Sequence, residues 1–249
     1  MKRIVSILMC AAFALTAVMV LKEDVYGETY TDKVTSMEFV KIGAGLYMGK
    51  YEVTNAQYRK FKPNHDSKAL HGISLNGDNQ PVVYVSFYEA EEFAKWLSHK
   101  TGMKYRLPTD KEWDRACKAG ENINKYWEKS EDACRYANLK DETHRAKVFP
   151  DIPKETLLMV YCEDGFVLTA PVGSKEPNKF GLYDMLGNVS EWTETPYDDK
   201  RITRGGSWSS NPDRATCSDF KQVFPKTWKV DLKINHNVFV LFVVAKLKR

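Results

Sequence analysis

The sequence predicts a single loop-rich domain of the α+β class. Three observations carry that reading. Met37-Glu-Phe-Val-Lys-Ile42 alternates like a strand, Gly43 and Gly45 mark a turn, and Leu46-Tyr-Met48 reads as a short return strand, so a hairpin opens the domain. All clear helix signals fall between Thr54 and Gly120. Beyond residue 120 no long periodic segment appears; turn residues and isolated aromatics dominate, which implies irregular backbone held by side-chain hydrogen bonds, by metal, or by both.

The helices are announced by their starts. Thr54 with Gln57 forms a capping box, predicting a short helix from Asn55 to about Lys62, where Pro63 stops it. Ser86 caps a longer one, in which Ala90, Phe93, Ala94 and Leu97 form one apolar stripe and Gly102 ends the run. Thr109 with Glu112 repeats the box and starts a third helix that turns Trp113 and Ala116 inward and ends near Gly120.

A chain of 249 residues, 43 % hydrophobic and 28 % charged, has material for one sizeable core. Its net charge of +4 is dispersed and gives no reason to expect nucleic acid. The N-terminus is different: Lys2 and Arg3 precede an apolar run from Ile4 to Leu21, the pattern of an export signal. Residues 1–27 are therefore assigned to a signal peptide or N-terminal anchor, with cleavage after Val25-Tyr-Gly27, and residues 28–249 to the folded domain. Cys10 is a poor candidate for lipidation, because the apolar stretch before it is short. The protein is thus expected to be periplasmic, cell-surface or secreted. Cys117, Cys134, Cys162 and Cys217 remain, an even number with no CxxC spacing, and both bridges and buried free thiols fit them.

Four stretches carry a family resemblance, in order: Met37–Gly49 running into Lys50-Tyr-Glu-Val-Thr-Asn55; Pro81-Val-Val-Tyr-Val-Ser86; Arg106-Leu-Pro-Thr-Asp-Lys-Glu-Trp113; and Phe180-Gly-Leu-Tyr-Asp-Met-Leu-Gly-Asn-Val-Ser-Glu-Trp192, followed by Arg204-Gly-Gly-Ser-Trp208. Together they resemble the formylglycine-generating enzyme, or sulfatase-modifying factor, family. The resemblance implies an irregular fold related to C-type lectins, with a small twisted antiparallel sheet, a few helices and long loops. It also implies two calcium loci. The first would take the Asn138 side chain, the Leu139 carbonyl, the Asp164 carboxylate and the Phe166 carbonyl; the second would take Asp184 and Glu191 with the carbonyls of Gly187 and Val189. Mixed carboxylate, amide and backbone oxygens suit a hard cation, although the same loops could close on themselves as Asx-turns.

Catalysis in the sulfatase-activating relatives needs two cysteines that hold copper(I) and oxidise a substrate cysteine. Soft thiolates suit that ion and hydroxyls do not. The matching positions here are Ser210 and Ala215, so no copper and no catalytic residue is expected, and Cys217, two residues out of register, is read as structural. His65, His71, His99, His144 and His236 are dispersed and form no metal-ligand spacing. Gly-x-Ser-x-Gly, HExxH and glycine-rich phosphate loops are absent.

The C-terminal part departs from the family pattern. Val238–Ala245 is an apolar, β-branched strand that would pack in the core or form a sticky edge. Between Trp208 and Asn237 aromatic and polar residues mix without period, as on the variable surface of retroelement-diversified proteins of this fold, or as in a C-terminus that has drifted. Trp208, Ser209, Ser210, Asn211, Asp213, Arg214, Phe220, Phe224 and Trp228 are the candidate ligand contacts. The resulting expectation is an exported, non-catalytic ligand-binding or display protein whose partner is an envelope or extracellular protein or glycan. The alternative is a formylglycine-generating oxidase acting on a protein substrate.

Overall fold

A computed structural model describes residues 28–227 and two further strand segments, Phe239–Val240 and Val244–Lys246. In chain order the elements are β1 (Thr29–Thr31), β2 (Glu38–Gly43), β3 (Leu46–Gly49), α1 (Asn55–Arg59), β4 (Ala69–Leu70), β5 (Ile73–Ser74), α2 (Phe87–Thr101), β6 (Lys104–Arg106), α3 (Asp110–Lys118), α4 (Ala133–Tyr136), α5 (Glu142–Val148), β7 (Ser190–Tyr197), β8 (Lys200–Arg204), β9 (Lys221–Val223), β10 (Phe239–Val240) and β11 (Val244–Lys246).

The opening hairpin forms as its alternation requires, with Gly45 in the left-handed region at φ 66°. It becomes the middle of a five-stranded sheet ordered β1-β2-β3-β11-β6. Both faces of this sheet are covered. Phe39 and Tyr47 pack into one core with α1 and α2, whereas Val40, Ile42 and Met48 pack into a second core with α3. Three helices begin on complete capping boxes, at Thr54, Ser86 and Thr109, where the hydroxyl and the Gln or Glu three residues on satisfy each other's backbone donors. The predicted stripe of α2, Ala90, Phe93, Ala94 and Leu97, is buried, and the helix stops on left-handed Gly102. The first helix ends at Arg59, three residues before the expected Lys62.

A second sheet, ordered β10-β7-β8-β9, was not legible as strands in the sequence. Its central hairpin pairs Glu191 with Arg204 and Tyr197 with Lys200, and a register shift between Trp192 and Pro196 absorbs the proline. Of the C-terminal segment, β11 lies inside the first sheet between β3 and β6, antiparallel to both, whereas β10 forms the edge of the second sheet, parallel to β7.

The four cysteines of the described region are bonded in pairs, Cys117 to Cys217 and Cys134 to Cys162. The first bridge ties α3 to the loop after Trp208 inside the second core. The second ties α4 to the loop before Asp164.

Candidate functional site

Two left-handed glycines, Gly205 and Gly206, swing the chain out of β8 and back under the sheet. Trp208 is thereby driven into the first core, and Ala215 into the second. The two positions that hold catalytic thiols in the sulfatase-activating relatives are both buried in a packed turn. Ser210 Oγ accepts from the Ser207 N–H at 2.9 Å, and the Ser210 carbonyl accepts from the Lys140 N–H at 3.4 Å. Ala215 is fully enclosed. Cys217, the nearest sulfur, is spent on Cys117. No thiolate remains in residues 28–227 to hold a soft metal ion.

Beneath this turn lies a buried carboxylate nest, formed by Glu52, Asp184 and Glu191. Glu52 accepts from Asn188 Nδ2 at 2.6 Å and from the Val189 N–H at 3.3 Å. Asp184 Oδ2 accepts from the Gly173 N–H at 2.7 Å, and Glu191 Oε2 accepts from the Trp113 indole. The remaining oxygens, Asp184 Oδ1 and Glu191 Oε1, have no partner among the described residues. Burial pushes Asp184 up to about 6 and lifts Glu52 and Glu191 well above the usual carboxylate range, with mutual repulsion adding to the effect on Glu52. The backbone here is set for this purpose. Gly187 is at φ 83°, and a Cβ on it would meet the Asn138 carbonyl at 2.2 Å, so only glycine lets the loop pass. Asp184 Oδ1 and Glu191 Oε1 are thus buried oxygens without donors on the two side chains expected to bind calcium; among the described residues no group of three or more His, Cys, Asp or Glu side chains is placed to hold a metal ion, so backbone carbonyls would have to supply the rest of a shell.

At the first locus the carboxylate is already occupied. Asp164 Oδ1 accepts from the Phe166 N–H at 2.8 Å, and Asp164 Oδ2 accepts from the Lys175 ammonium at 2.9 Å. Both oxygens of the only carboxylate in that set are therefore engaged. Asn138 donates through Nδ2 to the Leu168 carbonyl and to Asn188 Oδ1, and its own Oδ1 has no partner among the described residues. The histidines form no metal cluster among the described residues; His144 Nδ1 meets the Val167 carbonyl at 2.6 Å, and His65 Nε2 meets the Val83 carbonyl at 2.9 Å. His236 lies outside the described residues.

The candidate ligand contacts divide. Trp208 and Ser210 are buried and are corrected to core positions, because the double-glycine turn points that segment inward. Ser209 and Asn211 are half-buried, the latter accepting from Lys140 Nζ at 2.7 Å. Asp213 and Arg214 are exposed, Arg214 pairing with Asp219 at 2.9 Å. Phe220 and Phe224 reach solvent, 43 % and 51 % exposed, and Trp228 lies outside the described residues. Three aromatics that the sequence reading missed are also open: Tyr161, 54 % exposed, and Tyr88 on α2 and Tyr197 at the end of β7, both 44 % exposed. The β7-β8 register sets Tyr197 opposite Lys200, whose ammonium sits 5.0 Å from the Phe224 ring. The Pro225 carbonyl accepts from the Phe87 N–H, next to Tyr88. Tyr88, Tyr197, Lys200 and Phe224 thus gather where α2 meets one end of the second sheet. Pairing across strands of unrecognised register is what brings them together, so apart from Phe224 no local sequence signal marks them.

Comparison with known proteins agrees with the fold. The sulfatase-modifying factor enzyme 1-like domain matches residues 15–232. Chaperone protein LppX of Paenibacillus barcinonensis is 27% identical over 235 residues, 76% of each chain. The inactive C-alpha-formylglycine-generating enzyme 2 of Mus musculus is 34% identical over 139 residues, 53% of this chain and 39% of the relative. The formylglycine-generating enzyme of Thermomonospora curvata is 33% identical over 152 residues, 52% of this chain and 45% of the relative. The chain therefore aligns with less than half the length of those two enzymes. Among solved structures, PvdO from Pseudomonas aeruginosa superposes with TM-score 0.66 at 20% identity, covering 89% of this chain and 99% of that one. Treponema denticola variable protein 1 superposes with TM-score 0.62 at 18% identity, covering 88% and 99%. Likeness at that level of identity shows the fold alone.

Proposed function

The chain belongs to the sulfatase-modifying factor enzyme 1-like family, and on that premise we propose that it is an exported, non-catalytic member that binds a polypeptide partner. The observation that carries this reading is the fate of sulfur. A copper(I) oxidase needs two free thiolates at one point, and here those two positions hold a buried hydroxyl and a methyl while the nearby cysteines are bonded to each other. An inactive formylglycine-generating enzyme and a chaperone among the relatives support a family role without oxidation. Export is supported by the two bridges, which suit an oxidising compartment. Among the described residues no helix is long and apolar enough to cross a membrane.

Partner recognition is assigned to the face bearing Tyr88, Tyr197, Lys200 and Phe224, with Phe220, Asp213 and Arg214 on the adjoining loop. Exposed rings supply apolar contact area at small entropic cost, and the flanking cations and carboxylate give direction. Calcium at Asp184 and Glu191 would fix the loop at the opposite end of the β7-β8 hairpin from that surface.

The test is binding of a permanently unfolded polypeptide, carboxymethylated α-lactalbumin, followed by fluorescence anisotropy. Phe224→Ala with Tyr88→Ala should weaken binding about tenfold, the loss of about 1.4 kcal/mol, with an unchanged melting temperature. Equal binding by both proteins, or binding of glycans in place of the polypeptide, would overturn the assignment.

A further inference from the structure

The ion pair between Lys175 and Asp164 is almost wholly buried, the two side chains being 4 % and 0 % exposed. Its surroundings are those of a cation site. The ammonium donates to Asp164 Oδ2 at 2.9 Å and to the Cys134 carbonyl at 3.0 Å, and it lies 5.3 Å from the centre of the Phe166 ring. A second carboxylate, Asp141, stands beside it and accepts from the Asp164 N–H at 2.7 Å and from the His144 N–H at 2.8 Å. The Cys134–Cys162 bridge ties the chain just before Asp164 to α4. A lysine so placed brings a tethered amino group into a pocket of oxygens without any ion from solution.

We propose that Lys175 is a tethered cation that replaces calcium at the Asn138–Asp164 locus, so that the chain has one calcium site where its sequence pattern offers two. Two positive charges cannot share the Asp164 carboxylate at hydrogen-bond distance, because repulsion in a medium of low polarity is severe. The locus is therefore closed to metal by a covalently attached competitor at very high effective concentration. The arrangement makes this loop independent of external calcium, while the Asp184–Glu191 locus stays dependent on it.

The inference rests in part on the reading of the second locus as a calcium site, and the experiment separates the two. Calcium alone is titrated calorimetrically into the chelator-treated protein, into Lys175→Met and into Asp164→Asn. The wild type is expected to bind one ion, Asp164→Asn is expected to keep that ion, and Lys175→Met is expected to bind one ion more than the wild type. Wild-type binding of no ion, with one gained by Lys175→Met, would sink the second locus and leave the lysine's role standing. Two ions in the wild type, with one lost in Asp164→Asn, would overturn the inference. So would a Lys175→Met protein that folds and binds no additional ion. If Lys175→Met does not fold, the Asp164→Asn titration decides the matter alone.

Discussion

Replacing both Cys117 and Cys217 by alanine should cost more stability than any other change to the covalent structure. The bridge closes a loop of 100 residues, for which loop-closure entropy gives about 4.7 kcal/mol. Because Cys134–Cys162 short-circuits part of the same loop, the value falls only to about 4.4 kcal/mol. Loss of two buried sulfur atoms from the second core acts in the same direction. For a domain of this size each kcal/mol moves the melting temperature by roughly 2–4 °C, so a fall of about 9–18 °C is expected. The Cys134–Cys162 loop spans 28 residues, and its removal should cost about 3.6 kcal/mol by the same relation. Calorimetric melts of the two double variants, with and without reductant, give the comparison. Reductant should bring the wild type down towards the variants, and mass mapping should find no free thiol at Cys217. A native protein with a free Cys217 thiol, or a Cys117→Ala/Cys217→Ala variant melting within 3 °C of the wild type, would refute the reasoning.

Calcium at the second locus should raise the melting temperature by about 5–11 °C at a hundredfold excess over its dissociation constant, through a stabilisation of about 2.7 kcal/mol; EDTA should reverse the effect, and Asp184→Ala or Glu191→Ala should abolish it. Because burial raises Asp184 to about 6 and Glu191 well above the usual carboxylate range, protons compete with the ion, so the calcium-induced shift should shrink as the pH is lowered from 7.5 to 5. Burial holds His65 below its ordinary 6.5. The neutral ring is thus favoured in the folded state, and its contribution is full above 6.5 and lost as pH falls through the lowered value. In denaturant titrations His65→Gln should therefore show a smaller stability loss between pH 7 and pH 5 than the wild type.

Local chemistry was legible and distant chemistry was not. Thr54, Ser86 and Thr109 each announce a helix through a hydroxyl and a Gln or Glu three residues later, and all three boxes form. The hairpin at Met37–Met48 is equally local. In contrast β7 contains Thr193, Glu194, Thr195 and Pro196, ends exposed, and turns through left-handed Asp198, so its composition reads as loop. Cys117 and Cys217 are separated by too much chain for their pairing to be inferred from spacing. Trp208 looks like a surface ring beside irregular sequence, but the backbone of Gly205 and Gly206 turns it inward. Glu52 lies within a recognised motif, and only the fold reveals that it faces Asp184 and Glu191. Lys175 gives no signal either, since nothing in Gly173-Ser-Lys175 indicates that its ammonium ends at Asp164.

No copper-based oxidation is expected of this chain, with Ser210 and Ala215 where its sulfatase-activating relatives hold thiols. The most direct measurement is to load the purified protein with copper(I), supply a Cys-x-Pro-x-Arg peptide and oxygen, and follow both metal content and peptide mass. No retained copper and an unaltered peptide cysteine are expected. A protein that keeps one copper per chain and yields the formylglycine aldehyde would contradict the account.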